Sequence, residues 1–298
     1  MRVEHTVVSA PVYEEEPSED AVVVLEATDN QPFFVAVADG HGLEMDADGK
    51  TMRRSPTIAT FARAVACGLS KRFGEIPDPS LFPDHFDAVA ADVETIFRPM
   101  MEVELPERCV DGGAVASCVA VTDTAVHLAQ TGDCRLYVAL PSWTGGFRRL
   151  SHDHNGDNPR EIERLAPLLR SRAFRFSPRP SGDGLPSLPR GTPDSLYRRE
   201  GDVYVGGLQP TRVFGDWEYL PAVTHAPECR TYGLSQFAHG ELFALCSDGG
   251  NALVEATFQQ FRGRTTVCPL GRVADYTRSL LPHRSDDVTI VWFRPRAD

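Results

Sequence analysis

The chain is most constrained by an apolar run at 33–38 that stops at a polar tetrapeptide. The run reads FFVAVA, which is typical of a strand buried on both faces. Asp39-Gly40-His41-Gly42 follows directly, so a carboxylate and an imidazole are expected at the mouth of a core strand. Asp39 offers oxygen to a hard cation, His41 can hold a proton near neutral pH, and the glycines allow a tight turn. Taken alone, the segment favours a plain strand-to-turn junction with a solvated Asp.

Two later segments repeat this arrangement of a buried strand beside an acid. The apolar run LFALC at 242–246 leads through a serine into Asp248 and Gly249. Asp286 comes shortly before the last predicted strand, at 288–293. The repetition favours a shared site over three unrelated turns.

Two further acidic residues are expected beside Asp39. Glu19 and Asp20 lead into AVVVLE at 21–26, a β-branched run typical of a strand. The tetrapeptide TDNQ at 28–31 predicts a hairpin turn into the next strand. Because an antiparallel hairpin brings its open ends together, Glu19 and Asp20 are predicted to lie next to Asp39.

Acids grouped in this way predict a bound cation. Asp39, Asp248 and Asp286 adjoin Gly, Ser or Asp rather than a basic residue. Clustered carboxylates without a counter-charge repel one another, at a cost that a bound cation removes. Oxygen ligands favour Mg²⁺ or Mn²⁺, in a two-ion site that holds water. No Cys/His spacing typical of zinc is present in the sequence.

The composition bounds the class of protein and its partners. With 298 residues and 42% hydrophobic content, and no internal repeat or linker, one domain over 1–298 is expected. A net charge of −12 argues against nucleic acid or an anionic membrane as the main partner. No stretch is apolar enough for a membrane span or a secretory signal. The seven cysteines lack CxxC spacing, which predicts reduced thiols in the cytoplasm or nucleus, and a monomer is expected.

Secondary structure is clear in most of the chain and irregular in one segment. Ser55-Pro56 predicts a helix start, and apolar residues at helical spacing follow it. A second amphipathic helix is predicted with Ile96 and Phe97 on its buried face, and both helices are expected to pack on a sheet. Short apolar strands over 114–140 predict an antiparallel meander. Residues 170–199 hold seven arginines and five prolines and are predicted to form an inserted, basic surface loop, with contact to an anionic substrate as the alternative.

These features together resemble the metal-dependent PP2C-type Ser/Thr protein phosphatases (the PPM family), over nearly the whole chain. The matching blocks follow the family's order. They are Glu19-Asp20, VADGHG at 37–42, GAVA at 113–116, TGDCR at 131–135, LSHDHN at 150–155 with Glu161 and Arg164, TRVFGD at 211–216, CSDG at 246–249 and SDDVTI at 285–290. The resemblance implies an α+β fold, a four-layer α-β-β-α sandwich in which helices flank two packed antiparallel β-sheets. It also implies a Mg²⁺- or Mn²⁺-dependent hydrolase whose partners are proteins phosphorylated on serine or threonine.

The same resemblance implies roles for individual residues. A hydroxide held between two cations would attack the phosphorus directly, without a covalent intermediate, and His41 would protonate the leaving oxygen as general acid. The implied cation ligands are Asp39 and the Gly40 carbonyl, Glu19 and Asp20 through water, Asp248 and Asp286 for the second ion, and Asp133 for a third, weaker one.

The sequence departs from the family pattern around the phosphate. Glu15 stands where the family usually has an Arg that grips the substrate phosphate, and Arg53 and Arg54 are the substrate-binding candidates that could compensate. Gly250-Asn251-Ala252 lacks the usual acidic partner of the third metal, and Asp287 replaces a common Asn. An alternative function therefore stays open: a PP2C-like pseudophosphatase or regulatory binding module that retains metal but has weak or no turnover.

Overall fold

The described residues of the computed structural model are 2–12, 16–45, 55–101, 109–139, 146–177, 194–237, 241–262, 264, 268–284 and 286–296. The α-helices are α1 Pro56–Glu75, α2 Phe82–Met101, α3 Pro159–Arg170, α4 Asn251–Gln260 and α5 Leu270–Leu280. The strands are β1 Arg2–Ala10, β2 Asp20–Leu25, β3 Phe33–Met45, β4 Cys109–Val121, β5 Ala125–Gln130, β6 Arg135–Ala139, β7 Phe147–Arg149, β8 Phe174–Ser177, β9 Ser195–Glu200, β10 Val203–Leu208, β11 Phe214–Gly215, β12 Glu228–Gly233, β13 Phe243–Cys246 and β14 Val288–Arg296.

The described strands form two large antiparallel sheets and one small one. The first sheet has the strand order β1-β14-β13-β6-β7, with the N-terminal strand at one edge. The second sheet has the order β12-β5-β4-β3-β2, with the short β11 paired to β4. Strands β10, β9 and β8 form the small sheet.

Alternation of side chains divides the interior into three cores. On β3, Phe33, Val35 and Val37 lie in a core shared with residues of the first sheet. Phe34 and Ala36 point the other way, into a core with α1 and α2. A third core joins α4 and α5 to the outer face of the first sheet. The predicted α+β sandwich, with helices outside two packed antiparallel sheets, is confirmed.

The helix predictions hold, apart from one face assignment. The Ser55 side chain accepts a hydrogen bond from the Ile58 N–H at 3.0 Å and Pro56 opens α1, as the sequence predicts. On α2, Phe97 is buried but Ile96 is 58% exposed, so the prediction for Ile96 is wrong. Each helical residue turns by about 100° from the one before, so the stripe that continues through Phe97 leaves its neighbour outside. Among the described helices, none is both long and apolar enough to cross a membrane.

The strand carrying DGHG does not end at Asp39. β3 continues to Met45, paired with β4 throughout, so the predicted turn at this tetrapeptide is wrong. The reason lies on the partner strand, where Gly113 pairs with His41 and Gly112 pairs with Gly42. Gly112 has φ +146°, and a Cβ there would overlap the His41 carbonyl. Glycine on β4 therefore lets two backbones stay paired where a larger residue would part them.

The predicted loop at 170–199 is regular at both ends. β8 and β9 lie within it, and Phe174, Leu196 and Tyr197 are buried, so the loop prediction is wrong for these strands. The Arg175 guanidinium lies 4.2 Å from the centre of the Tyr204 ring, which provides a cation–π contact on the small sheet. Residues 178–193, the centre of the segment, lie outside the described residues.

We expect Gly113→Ala to destabilise the fold. A Cβ at 113 would overlap the Phe214 carbonyl oxygen and lie 2.5 Å from Asp216 Oδ2, so β11 would have to move away from β4. Forced overpacking of this kind costs about 1–3 kcal/mol of unfolding free energy, measurable in urea. The matched control is Gly271→Ala on α5, where a Cβ meets nothing within 4 Å and stability should change by less than about 1 kcal/mol. Equal effects of the two substitutions would contradict the packing argument.

Candidate active site

Asp39 and His41 lie midway along β3, on the face that looks toward the first sheet. They continue the alternation that places Val35 and Val37 in the inter-sheet core. Asp20 on β2 is paired directly with Asp39. The prediction that the hairpin brings Asp20 beside Asp39 is therefore confirmed.

Acids from the first sheet approach the same point. The Asp248 backbone N–H, just after β13, donates to Asp39 Oδ2 at 3.2 Å. The preceding residue, Ser247, donates from Oγ to Asp20 Oδ2 at 2.6 Å. Asp133 and Asp286 are near enough for their charges to raise the pKa of Asp39. We refer to Asp20, Asp39, Asp133, Asp248 and Asp286 as the acid cluster.

Burial and mutual repulsion raise pKa values in the acid cluster. For Asp39, burial is the main cause of a pKa well above the ordinary value, and the charges of Asp248 and Asp20 add to it. Burial raises the pKa of Asp20 to about 7, although the hydrogen bond from Ser247 opposes the shift. Burial, with the charge of Asp248, raises the pKa of Asp133 to about 7 as well. The pKa of Asp248 is raised too, by burial of its carboxylate and by the charge of Asp286, but the residue as a whole is exposed, so solvent screens its charge more strongly.

The acid cluster fits a hard cation chemically. Arg135 lowers the pKa of Asp133, but burial and repulsion outweigh it, and Arg135 itself bonds Asp153 through two hydrogen bonds of 3.0 and 2.7 Å. Carboxylate oxygens are the ligands that Mg²⁺ and Mn²⁺ prefer, and a divalent charge would remove the repulsion. Within the described ranges, no three His, Cys, Asp or Glu side chains already converge as a complete ligand set. The acids are thus neighbours around a shared space.

Glu19 and Gly40 carry packing contacts beside the acid cluster. Glu19 Oε1 accepts the Ser55 N–H at 2.8 Å, and the Glu19 carbonyl accepts the Gly40 N–H at 3.0 Å. A Cβ at 40 would lie 2.7 Å from Ile58 Cγ2. Glycine is therefore required where β3 meets α1, and one Glu19 oxygen is committed to the start of that helix. Their roles toward a cation stay predictions.

A buried aspartate that sequence reasoning missed holds the His41 ring. His41 Nε2 lies 2.7 Å from Oδ2 of Asp216, whose side chain is 4% exposed. An ionised carboxylate only accepts hydrogen bonds, so Nε2 carries the proton in this pair. Burial lowers the pKa of His41, but the charge and hydrogen bond of Asp216 raise it above the ordinary value. Asp216 ends the TRVFGD block, so the sequence did single out this segment. Nothing in the sequence, however, indicates that β11 lies near β3.

A buried ion cluster supports the segment that leads to Asp216. Glu161 on α3 is fully buried, and its two oxygens accept from Arg164, Arg212 and the Thr211 hydroxyl at 2.7–3.0 Å. Burial alone would raise the pKa of Glu161, but the hydrogen bond from Arg212 and the charge of Arg164 hold it below its ordinary value. Thr211 and Arg212 directly precede Val213 and β11. The ion cluster thus anchors the approach to Asp216.

The predicted substrate-binding residues Arg53 and Arg54 lie outside the described residues, as does Glu15. Their proposed compensation for a phosphate-binding Arg therefore stays a prediction. Ala252, in the segment that lacks the usual acidic partner of a third metal, lies on α4 and is exposed.

Comparison with known proteins agrees with this geometry. The family model described as protein phosphatase 2C matches residues 13–249. The chain belongs to the PP2C family. A curated rice (Oryza sativa subsp. japonica) relative, probable protein phosphatase 2C 68, is 25% identical over 271 residues. That match covers 87% of this chain and 66% of the rice protein, so this chain spans just under two thirds of its relative's length.

Solved structures of similar fold extend over the whole chain. The serine/threonine phosphatase Stp1 from Staphylococcus aureus superposes with a TM-score of 0.61 at 14% identity, covering 100% of this chain and 96% of its own. The Mycobacterium tuberculosis serine/threonine phosphatase PstP/Ppp gives 0.57 at 16% identity, with both chains covered fully. A C. elegans sex-determining protein gives 0.66 at 16% identity, covering 99% of this chain and 65% of that one. At these identities the likeness establishes the PP2C fold.

We expect the stability of metal-free protein to depend on ionisation of Asp133. Its pKa is raised from 3.8 to about 7 in the folded protein. Its contribution to the free energy of unfolding is therefore fully present below pH 3.8 and is lost as the pH rises through 7. Asp133→Asn cannot ionise. Its advantage over the wild type in urea unfolding with EDTA should therefore grow by about 1–3 kcal/mol between pH 5 and pH 8.

The control for this comparison is Asp29→Asn, in the exposed turn between β2 and β3, which should show no such growth. A difference between Asp133→Asn and wild type that is the same at both pH values would contradict the electrostatic reading of the acid cluster.

Proposed function

We propose that this PP2C-family protein is a Mg²⁺- or Mn²⁺-dependent phosphatase of phosphoserine and phosphothreonine proteins. The observation that carries the proposal is the meeting of acids from both sheets in one cluster, with the Asp216-held His41 on the same strand as Asp39. Family membership over 13–249 supports the reaction class. The chain would act as a single domain over 1–298. Six described cysteines are free thiols, in keeping with a cytoplasmic or nuclear setting.

The acid cluster would hold two divalent cations. Asp39 and Asp20 would serve from the second sheet and Asp248 and Asp286 from the first, with Asp133 beside them. The Gly40 carbonyl and Glu19 complete the proposed set, and a third, weaker ion would rely on Asp133. When bound, such ions supply charge neutralisation for the phosphate and activation of a water nucleophile.

His41 would give a proton to the leaving oxygen. Because Nε2 donates to Asp216, Nδ1 is the ring nitrogen left to face a substrate. The carboxylate of Asp216 raises the pKa of His41, which favours the protonated ring that a general acid needs. Asp216 would therefore orient the ring and hold its charge.

The alternative proposal is a PP2C-like binding module with little turnover. Glu15 in place of a phosphate-gripping Arg favours it, because like charge near a phosphate weakens binding. A purified protein that binds Mn²⁺ and a phosphopeptide but releases no phosphate would support this alternative over the enzyme.

Loss of a cluster acid from either sheet should abolish turnover. We expect Asp39→Ala and Asp248→Ala to reduce Mn²⁺-dependent phosphate release from a phosphoserine peptide to background, while far-UV circular dichroism and urea unfolding show a folded chain. Asp202→Ala, at a fully exposed turn position, is the matched control and should retain activity. Near-normal turnover of either cluster variant in saturating Mn²⁺ would refute the proposed two-ion site.

His41→Ala should reduce turnover most for substrates whose leaving group needs a proton. General acid catalysis contributes about 10²–10⁴-fold, so phosphoserine peptides should lose rate on that scale. p-Nitrophenyl phosphate should lose much less, since p-nitrophenolate leaves without protonation. Asp216→Asn should also lower the rate on phosphoserine peptides more than the rate on p-nitrophenyl phosphate, by a smaller factor than His41→Ala. Equal losses on both substrates would remove His41 from the acid role.

A further inference from the structure

Asp287 connects the edges of the two large sheets near the acid cluster. It is 3% exposed and directly precedes β14. Its Oδ1 accepts the Val12 N–H at 2.7 Å, just beyond β1 of the first sheet. Its Oδ2 accepts the Glu19 N–H at 2.8 Å, just before β2 of the second sheet. One carboxylate therefore bonds backbone groups near both ends of the segment that joins β1 of the first sheet to β2 of the second.

The contacts around Asp287 lead directly to members of the acid cluster. Its own N–H donates to Asp286 Oδ1 at 2.8 Å. A Cβ on Gly249, the residue after Asp248, would overlap the Asp287 carbonyl, so that backbone packs directly against it. On the other sheet, Glu19 is the chain neighbour of Asp20. Movement of Asp287 would shift acids of the first sheet against those of the second.

In this chain both bonds use a carboxylate oxygen, although the family commonly has Asn at this position. Both backbone partners are donors, and an ionised Asp presents an acceptor on each oxygen. Asn has the same shape but offers one acceptor and one NH₂ group, which would face an N–H. One of the two bonds would then be lost, and charge assistance would be lost from the other.

Two contacts between cluster residues of the two sheets are less suited to holding this distance. Ser247 Oγ and the Asp248 N–H bond the carboxylates of Asp20 and Asp39, which are themselves the proposed cation ligands. A cation would compete for those oxygens. Asp287 holds backbone groups on both sides, so its bonds persist whichever way the cluster side chains turn.

We propose that Asp287 is a positioning residue that sets the distance between the Asp20–Asp39 half and the Asp248–Asp286 half of the acid cluster. The proposal rests on the proposed function in one respect, that the cluster is where cations bind. Outer residues that orient metal ligands typically change metal affinity by about 10–100-fold when replaced.

The first test measures the bonds themselves without turnover. Residue-resolved amide exchange in EDTA should be about tenfold faster or more at Val12, Glu19 or both in Asp287→Asn than in wild type. Asp202→Asn, the same chemical change at a fully exposed turn residue, is the control and should leave both rates unchanged. Unchanged rates in Asp287→Asn would overturn the proposal. Should that variant not fold, the wild type decides, because unprotected Val12 and Glu19 amides would overturn it equally.

The second test separates positioning from general destabilisation. Calorimetric titration with Mn²⁺ should give a dissociation constant about tenfold weaker in Asp287→Asn, with kcat for a phosphopeptide largely restored at saturating Mn²⁺. A purely structural role would reduce the folded fraction and leave the Mn²⁺ dissociation constant of the folded protein unchanged, and that result would overturn the proposal. Wild-type protein that binds Mn²⁺ but releases no phosphate would refute the phosphatase function, while the difference in Mn²⁺ affinity would still support positioning by Asp287.

Discussion

The pairing of β3 with β4 is the constraint on which the rest of the structure depends. Their register runs without interruption from Phe33 opposite Val121 to Met45 opposite Cys109. Because it continues past the apolar run, strict alternation turns Asp39 and His41 toward the other sheet. A slip of one residue would turn Asp39 toward α1, where even a Cβ at the position of Gly40 would lie 2.7 Å from Ile58 Cγ2. The same β4 also pairs with β11, which brings Asp216 to His41.

The two-sheet architecture makes the acid cluster possible and also makes it costly. Neither sheet alone carries more than part of the cluster. The charge of Asp248 therefore reaches Asp20 and Asp39 only when the sheets pack, and it adds to the burial that is the main cause of their raised pKa values. The large inter-sheet core supplies the hydrophobic stabilisation that holds them together against this repulsion. Sheet packing determines which acids meet, and short turns next to the strands carry Asp133, Asp248 and Asp286.

Much of the fold and part of the site could be predicted from the sequence, for identifiable reasons. Helix α1 and the Asp20–Asp39 hairpin depend on local signals, a cap at Ser55 and a turn between two short runs, and both were predicted. The persistence of β3 through DGHG depends on glycines more than sixty residues away on β4, and no periodicity within 33–42 reports them. The pairing of His41 with Asp216 spans 175 residues and joins two elements that neighbour each other only through β4. Contacts between two elements that are brought together by a third element therefore could not be predicted from this single sequence.

The buried carboxylate of Glu161 also constrains how this protein can change over evolutionary time. Glu161 satisfies two guanidinium groups and a hydroxyl at once. Replacing it alone would leave two partly buried guanidinium groups without their carboxylate, and replacing Arg164 or Arg212 alone would leave a half-neutralised buried acid. An apolar alternative of equal volume is reachable only through such intermediates. The three positions are therefore locked by epistasis, and drift in this lineage should alter them jointly or not at all.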